Sequence, residues 1–181
     1  MTNMKWILSR KVRWILIAVM LLVFMFSSRM NAQTSLPSDF GAKGALQDQD
    51  ISIEEALTYA IQDEYLALAR YEAVTKKFGT ILPFSQIIQS EQQHIEALTR
   101  LMNQYKIEIP ENNAQQYVSA PNTIKEAFQD GVKGELDNIA MYEAFLTIEK
   151  LPNDLAKVFS NLRDASKKHL VAFNFGLAQS N

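Results

Sequence analysis

In Phe84-Ser85-Gln86-Ile87-Ile88-Gln89-Ser90-Glu91-Gln92-Gln93-His94-Ile95-Glu96-Ala97-Leu98-Thr99-Arg100-Leu101, apolar residues recur at spacings of three and four. That period predicts an amphipathic helix, starting near Leu82 with Pro83 in its first turn and running to about Tyr105. Its buried stripe reads Phe84, Ile87, Ile88, Glu91, His94, Ile95, Leu98, Leu101 and Tyr105. Two members are wrong for an oily interior: Glu91 and His94, at i and i+3, project from one inward face. An E-x-x-H alone occurs by chance in many helices, so its meaning depends on what the rest of the chain brings to the same level.

Upstream, Ser52-Ile53-Glu54-Glu55 is a capping box, in which serine and glutamate side chains satisfy the free N–H groups of a helix start. The helix it opens is expected to reach Phe78 and stop at Gly79. Downstream, residues 106–121 hold two prolines and no apolar period, and read as a long connection. Thr123-Ile124-Lys125-Glu126 is a second capping box, opening a helix to about Lys150. Pro152 suits the first turn of a fourth helix, ending near Gly176. The connections are therefore short, long, short. Helices of this length span ~37 Å, which an extended 16-residue link can cross. The expectation is an all-α four-helix bundle over 51–177, built as two antiparallel hairpins with a long crossover between helices 2 and 3. Residues 33–50, rich in Gln, Asp, Ser and Gly, read as a flexible linker.

Every stripe carries the same anomaly near its middle. The first helix gives Ile53, Leu57, Ile61, Glu64, Leu68, Tyr71, Val74 and Phe78; the third gives Ile124, Phe128, Glu135, Ile139, Tyr142 and Phe145. The fourth gives Leu155, Phe159, Leu162, Ser166, His169 and Phe173. Burying an uncompensated carboxylate costs several kcal/mol, and no Lys or Arg lies on these stripes to pair with it. Either the carboxylates take up protons or divalent cations sit among them. Taken singly, His169 reads as a hydrogen-bonded core histidine, and Tyr71 and Tyr142 as core aromatics. Their coincidence favours a metal site of Glu64, Glu91, His94, Glu135 and His169. The order Glu64, Tyr71, Glu91-x-x-His94 returns as Glu135, Tyr142, Ser166-x-x-His169, a pseudo-twofold repeat of two related hairpins.

The N-terminus poses a separate problem. Lys5, Arg10, Lys11 and Arg13 precede an apolar run from Trp14 to Phe26, shorter than the ~20 residues of a spanning helix. Residues 1–32 read as a signal peptide cleaved after Ala32 or, alternatively, a retained inner-membrane anchor. Either way the basic flank places the body outside the cytoplasm, in the periplasm, envelope or medium, with membrane contact only through residues 1–32 if uncleaved. That segment holds five basic residues and no acid, leaving 13 Lys and Arg against 20 Asp and Glu, a net charge of −7. An acidic body lacks the basic footprint of nucleic-acid binding. Zero cysteines exclude disulfides, thiolate zinc, iron–sulfur clusters and a cysteine nucleophile. No Gly-rich phosphate loop occurs.

These motifs resemble the ferritin-like, rubrerythrin-like bundles and, more closely, a prokaryotic ferritin-like domain of unknown function (DUF2202). The matching residues are Asp63-Glu64-Tyr65, Tyr71-Glu72-Ala73-Val74 through Phe78-Gly79, Pro83-Phe84 through Ser90-Glu91-Gln92-Gln93-His94, Glu135 through Asn138-Ile139-Ala140 to Tyr142, and His169-Leu170 with Ala172-Phe173. The resemblance covers about 51–175 and implies a non-haem iron or manganese centre, acting on ferrous iron, oxygen or peroxide, and a homodimer. It departs at Ser166, where a complete di-iron motif has glutamate. Three glutamates supply −3, so two divalent ions would leave +1 and one would leave −1. Asn138, at i+3 from Glu135, is a substitute amide ligand on this reading, and Tyr71, Tyr142 and Ser166 are neighbours that could hydrogen-bond ligands. Without a cysteine cluster, any electron donor is a separate partner. The alternative is a structural or interaction bundle whose metal site has decayed.

Overall fold

The protein is described by a computed structural model over residues 34–180. The expected signal peptide or anchor lies outside those residues. Among the described residues the regular structure is helical: α1 (Gly41–Ala45), α2 (Ile53–Phe78), α3 (Phe84–Tyr105), a 3-10 turn (Ala114–Tyr117), α4 (Ile124–Phe145) and α5 (Asn153–Gln179). No helix among them is long and apolar enough to cross a membrane. The four long helices form a bundle, as the apolar periods require.

Both capping boxes form. Ser52 Oγ accepts from Glu55 N (3.2 Å) while Glu55 Oε2 accepts from Ser52 N (2.9 Å). Thr123 and Glu126 repeat the exchange at α4. Short links make α2/α3 and α4/α5 hairpins, with α2 against α4 and α3 against α5 joining them. The crossover from Lys106 to Thr123 carries the chain between hairpins, and its 3-10 turn packs on α2.

Three expectations need correction. The third long helix stops at Phe145, not Lys150, because bonds to the third residue (Thr147 N to Ala144 O, Ile148 N to Phe145 O) tighten the chain into turns before Pro152. The last helix runs through Gly176, which is small for another reason. A Cβ there would stand 2.2 Å from Phe128 Cε1, so Gly176 admits an aromatic ring and does not stop the helix. The supposed linker is packed: Phe40, Ala42 and Ala45 are buried, and α1 lies against α2 and α4. Ala42 N donates to Asp63 Oδ1 (3.0 Å) and Gly41 N to Gln62 Oε1 (3.1 Å), which ties the segment to the bundle.

The core falls into two apolar clusters. The larger holds Leu57, Ile61, Leu98, Met102, Tyr142, Phe145, Leu155 and Phe159. The smaller holds Tyr71, Val74, Phe84, Ile87, Phe128 and Phe173. The ionisable residues of the stripes lie along the helices between these two sets.

Candidate metal centre

A helix repeats every 3.6 residues, so mid-stripe residues on four packed helices converge on one level. The five proposed ligands do so. Glu64 (α2), Glu91 and His94 (α3), Glu135 (α4) and His169 (α5) are all buried, none more than 8% exposed. They form two groups sharing Glu91: Glu64–Glu91–His94 and Glu91–Glu135–His169, the ligand atoms of each within 4.8 Å of one another.

His94 Nδ1 lies 2.8 Å from Glu91 Oε2 and 3.2 Å from Glu64 Oε2. Its other nitrogen, Nε2, faces Ser90 Oγ at 3.1 Å, which fixes the ring's orientation. His169 Nδ1 lies 3.2 Å from Glu91 Oε1 and 3.6 Å from Glu135 Oε1, but makes no hydrogen bond to either. The two imidazoles are near-parallel, 5.8 Å apart at 23°. One carboxylate, Glu91, thus addresses both rings.

The tyrosines cross between hairpins. Tyr71, rooted in the smaller cluster, donates to Glu135 Oε1 (2.6 Å), and Tyr142, rooted in the larger, donates to Glu64 Oε1 (2.6 Å). Burial, reinforced by those carboxylates, pushes both phenols well above their ordinary pKa, so they remain donors. Asn138 is turned the wrong way for a ligand. Its amide nitrogen donates to Asp63 Oδ2 (3.0 Å) and Glu64 Oε1 (3.4 Å), while its oxygen accepts from Ser166 Oγ (2.7 Å). Leu162 O, 3.1 Å away, is a second acceptor for the same hydroxyl proton, so Ser166 ends the hydrogen-bond chain that runs through Asn138.

Two residues with roles here stood in the sequence only as part of the resemblance, with no role of their own. Asp63 is buried beside Glu64, held by Ala42 N and Asn138, with its carboxyl pushed upward by burial. Ser90 sits one turn before His94. Adjacency to Glu64 and the i−4 relation to His94 were the available signals, and both are common by chance.

The electrostatics define the centre. Burial opposes charge on His94, but the carboxylates of Glu64 and Glu91 reverse that and raise its pKa to about 10. Burial is likewise outweighed at His169, which Glu135 and Glu91 carry to about 9. Glu64 is raised by burial and then by the charge of Glu91; Glu91 resists burial and is lowered by His169 and His94. Without a cation, the cluster therefore holds its charges by protonating both histidines. Adjacent ligands around one ion with bonds of ~2.1 Å stand ~3 Å apart, which is the spacing of His94 Nδ1 from its carboxylates. The donor set fits a metal: hard oxygens, two imidazoles, and a buried nitrogen without a hydrogen-bond partner.

The sequence profile of an uncharacterized protein domain, DUF2202, matches residues 54–181. The fold is similar to that in the crystal structure of a hypothetical protein, MJ0754, from Methanococcus jannaschii DSM 2661. The two are 27% identical at a TM-score of 0.62, over 81% of this chain and 86% of that one. No curated protein matches the chain.

Proposed function

The chain belongs to the DUF2202 family, whose domain is uncharacterized, so its function has to be read from the centre itself, and we propose that it is an exported, metal-binding helical bundle. On this reading Glu64, Glu91, His94, Glu135 and His169 hold one or two divalent ions. Hard carboxylate oxygens with imidazole suit iron or manganese. The observation that carries the proposal is the doubly used Glu91, whose two oxygens face two imidazole nitrogens, one of them buried with no hydrogen bond.

Bound iron or manganese supplies redox chemistry, which here would act on ferrous iron or peroxide. The protein's own part is to orient the donors: Tyr71 and Tyr142 fix Glu135 and Glu64, Ser90 fixes His94, and the two apolar clusters limit water. Electrons would come from a separate donor, because the chain has no cysteine to carry a cluster. The basic residues before the run 14–26 are the ground for export, and N-terminal sequencing of the mature protein tests it.

The test is metal analysis of native protein beside a Glu91→Ala/His94→Ala variant. Stoichiometric iron or manganese in the first and its loss from the second is the expected result. Metal-free native protein, with no change in melting temperature on adding either ion, rejects the proposal. Ferrous oxidation or peroxide consumption above the variant's rate is expected if the centre turns over. The Ser166–Asn138 hydrogen bond favours a second reading, a structural bundle with a decayed site. Equal rates in native protein and variant, with metal retained, would leave a binding protein without catalysis.

A further inference from the structure

A cavity of about 250 Å³ opens along the seam of α2 and α4, under the crossover. We infer that it is the route by which small anions reach the metal centre, with Arg70 drawing them in and Tyr71 closing the inner end. This rests on the metal reading above and adds a path and a ligand class to it.

Tyr71 lines the cavity, and its hydroxyl is bonded to Glu135 Oε1 (2.6 Å), a ligand atom of the Glu91–Glu135–His169 group. The cavity is thus separated from the centre by one side chain. The space persists because residue 134 is glycine. A Cβ there would stand 3.3 Å from Arg70 Nη1 and 3.9 Å from Tyr71 Oη, so the guanidinium, the hydroxyl and the gap share one small volume. The roof is fastened: Lys77 Nζ donates to Pro121 O (2.6 Å), and the Tyr117 ring meets Phe40 edge-on at 5.3 Å.

Charge selects the class of ligand. Of the two cations in the lining, Lys133 is paired with Asp137. Arg70 makes no ion pair or hydrogen bond among the described residues, and its charge acts on Asp63, Tyr71 and Asp130 from a distance. Asp130, the remaining acid of the lining, is exposed at the rim. A guanidinium without a fixed partner beside a gap attracts a small anion and disfavours a metal cation, so ions load elsewhere.

Azide is the probe, followed by its charge-transfer absorption on iron-loaded, oxidised protein in rapid mixing. Gly134→Val narrows the cavity without removing any ligand. Iron content is expected to stay unchanged, and azide association and dissociation to slow together, each about tenfold, with the equilibrium constant unmoved. An obstructed path gives that signature, whereas a distorted centre shifts the equilibrium. Gly134→Ala, whose methyl crowds the movable tip of Arg70 and meets Tyr71 Oη at ordinary contact distance, gives a smaller slowing and keeps the test available if valine prevents folding. Arg70→Gln is expected to slow azide association by about three- to tenfold and to leave nitric oxide, a neutral probe of the ferrous form, unaffected. Unchanged azide rates in iron-replete Gly134→Val and Gly134→Ala overturn the route but not the metal reading. An unchanged rate in Arg70→Gln overturns the anion preference. Native protein that holds neither iron nor manganese ends both.

Discussion

The two hairpins present the same frame and fill it differently. Each gives a glutamate from its first helix, a tyrosine seven residues on, and a histidine from its second: Glu64, Tyr71 and His94, then Glu135, Tyr142 and His169. Each tyrosine serves the opposite hairpin's glutamate at the same 2.6 Å. Symmetry breaks three residues before each histidine. Glu91 reaches both imidazoles, whereas Ser166 bonds to Asn138, and Asn138 in turn holds Asp63 and Glu64. One hairpin supplies the shared carboxylate, and the other supplies a neutral relay that steadies its partner's acids. Serine at 166 thus leaves no hole, and Glu91 alone faces both imidazoles.

The largest effect expected is from Glu91→Ala. Removing the shared carboxylate should empty both groups at once, a loss exceeding the ~10–100-fold that removal of an outer partner costs. Metal titration checks this, and a variant that still binds at native affinity would break the comparison. Ser166→Glu restores the missing acid. Without metal, one more buried carboxylate should cost several kcal/mol and lower the melting temperature; manganese or iron should raise it by more than in the natural chain.

Acidity sharpens the contrast between loaded and metal-free protein. His94 and His169 have folded pKa values of about 10 and about 9, above the ~6.5 of an unfolded chain. Their stabilisation of metal-free protein is therefore complete below ~pH 6.5 and is lost as pH rises through 9 to 10. Metal needs neutral imidazole, so its affinity should instead weaken as pH falls. Melting curves against pH, with and without chelator, should move in opposite directions. The smallest expected effect separates the tyrosines. Each Tyr→Phe change removes a donor to a buried carboxylate, worth ~1–3 kcal/mol. Tyr71→Phe should cost more, because Glu64 keeps Asn138 while Glu135 has no second hydrogen-bond donor among the described residues.

Much of the bundle was legible because its signals are local and repetitive. Two capping boxes and four apolar stripes mark where helices begin and which faces turn inward, and mid-stripe acids converge once helices pack. What escaped was set by tertiary contact. Gly41-Ala42-Lys43-Gly44-Ala45 has no period, and its helix is held by α2 and α4. The i+3 spacing of Asn138 from Glu135 suggests an oxygen donor to metal, but its orientation is dictated by Asp63 and Ser166 on other helices. Gly176 reads locally as a helix end, but its smallness serves the Phe128 ring packed against it. No window of sequence contains those neighbours.

The packed segment before the bundle changes where the folding unit starts. The family match begins at residue 54, yet Phe40 is buried and Ala42 anchors Asp63 from outside that boundary. A protein trimmed to the matched region would therefore strip away a wall of its own interior, letting solvent at an acid that sits next to Glu64. Anyone shortening this chain for expression should cut ahead of Leu36.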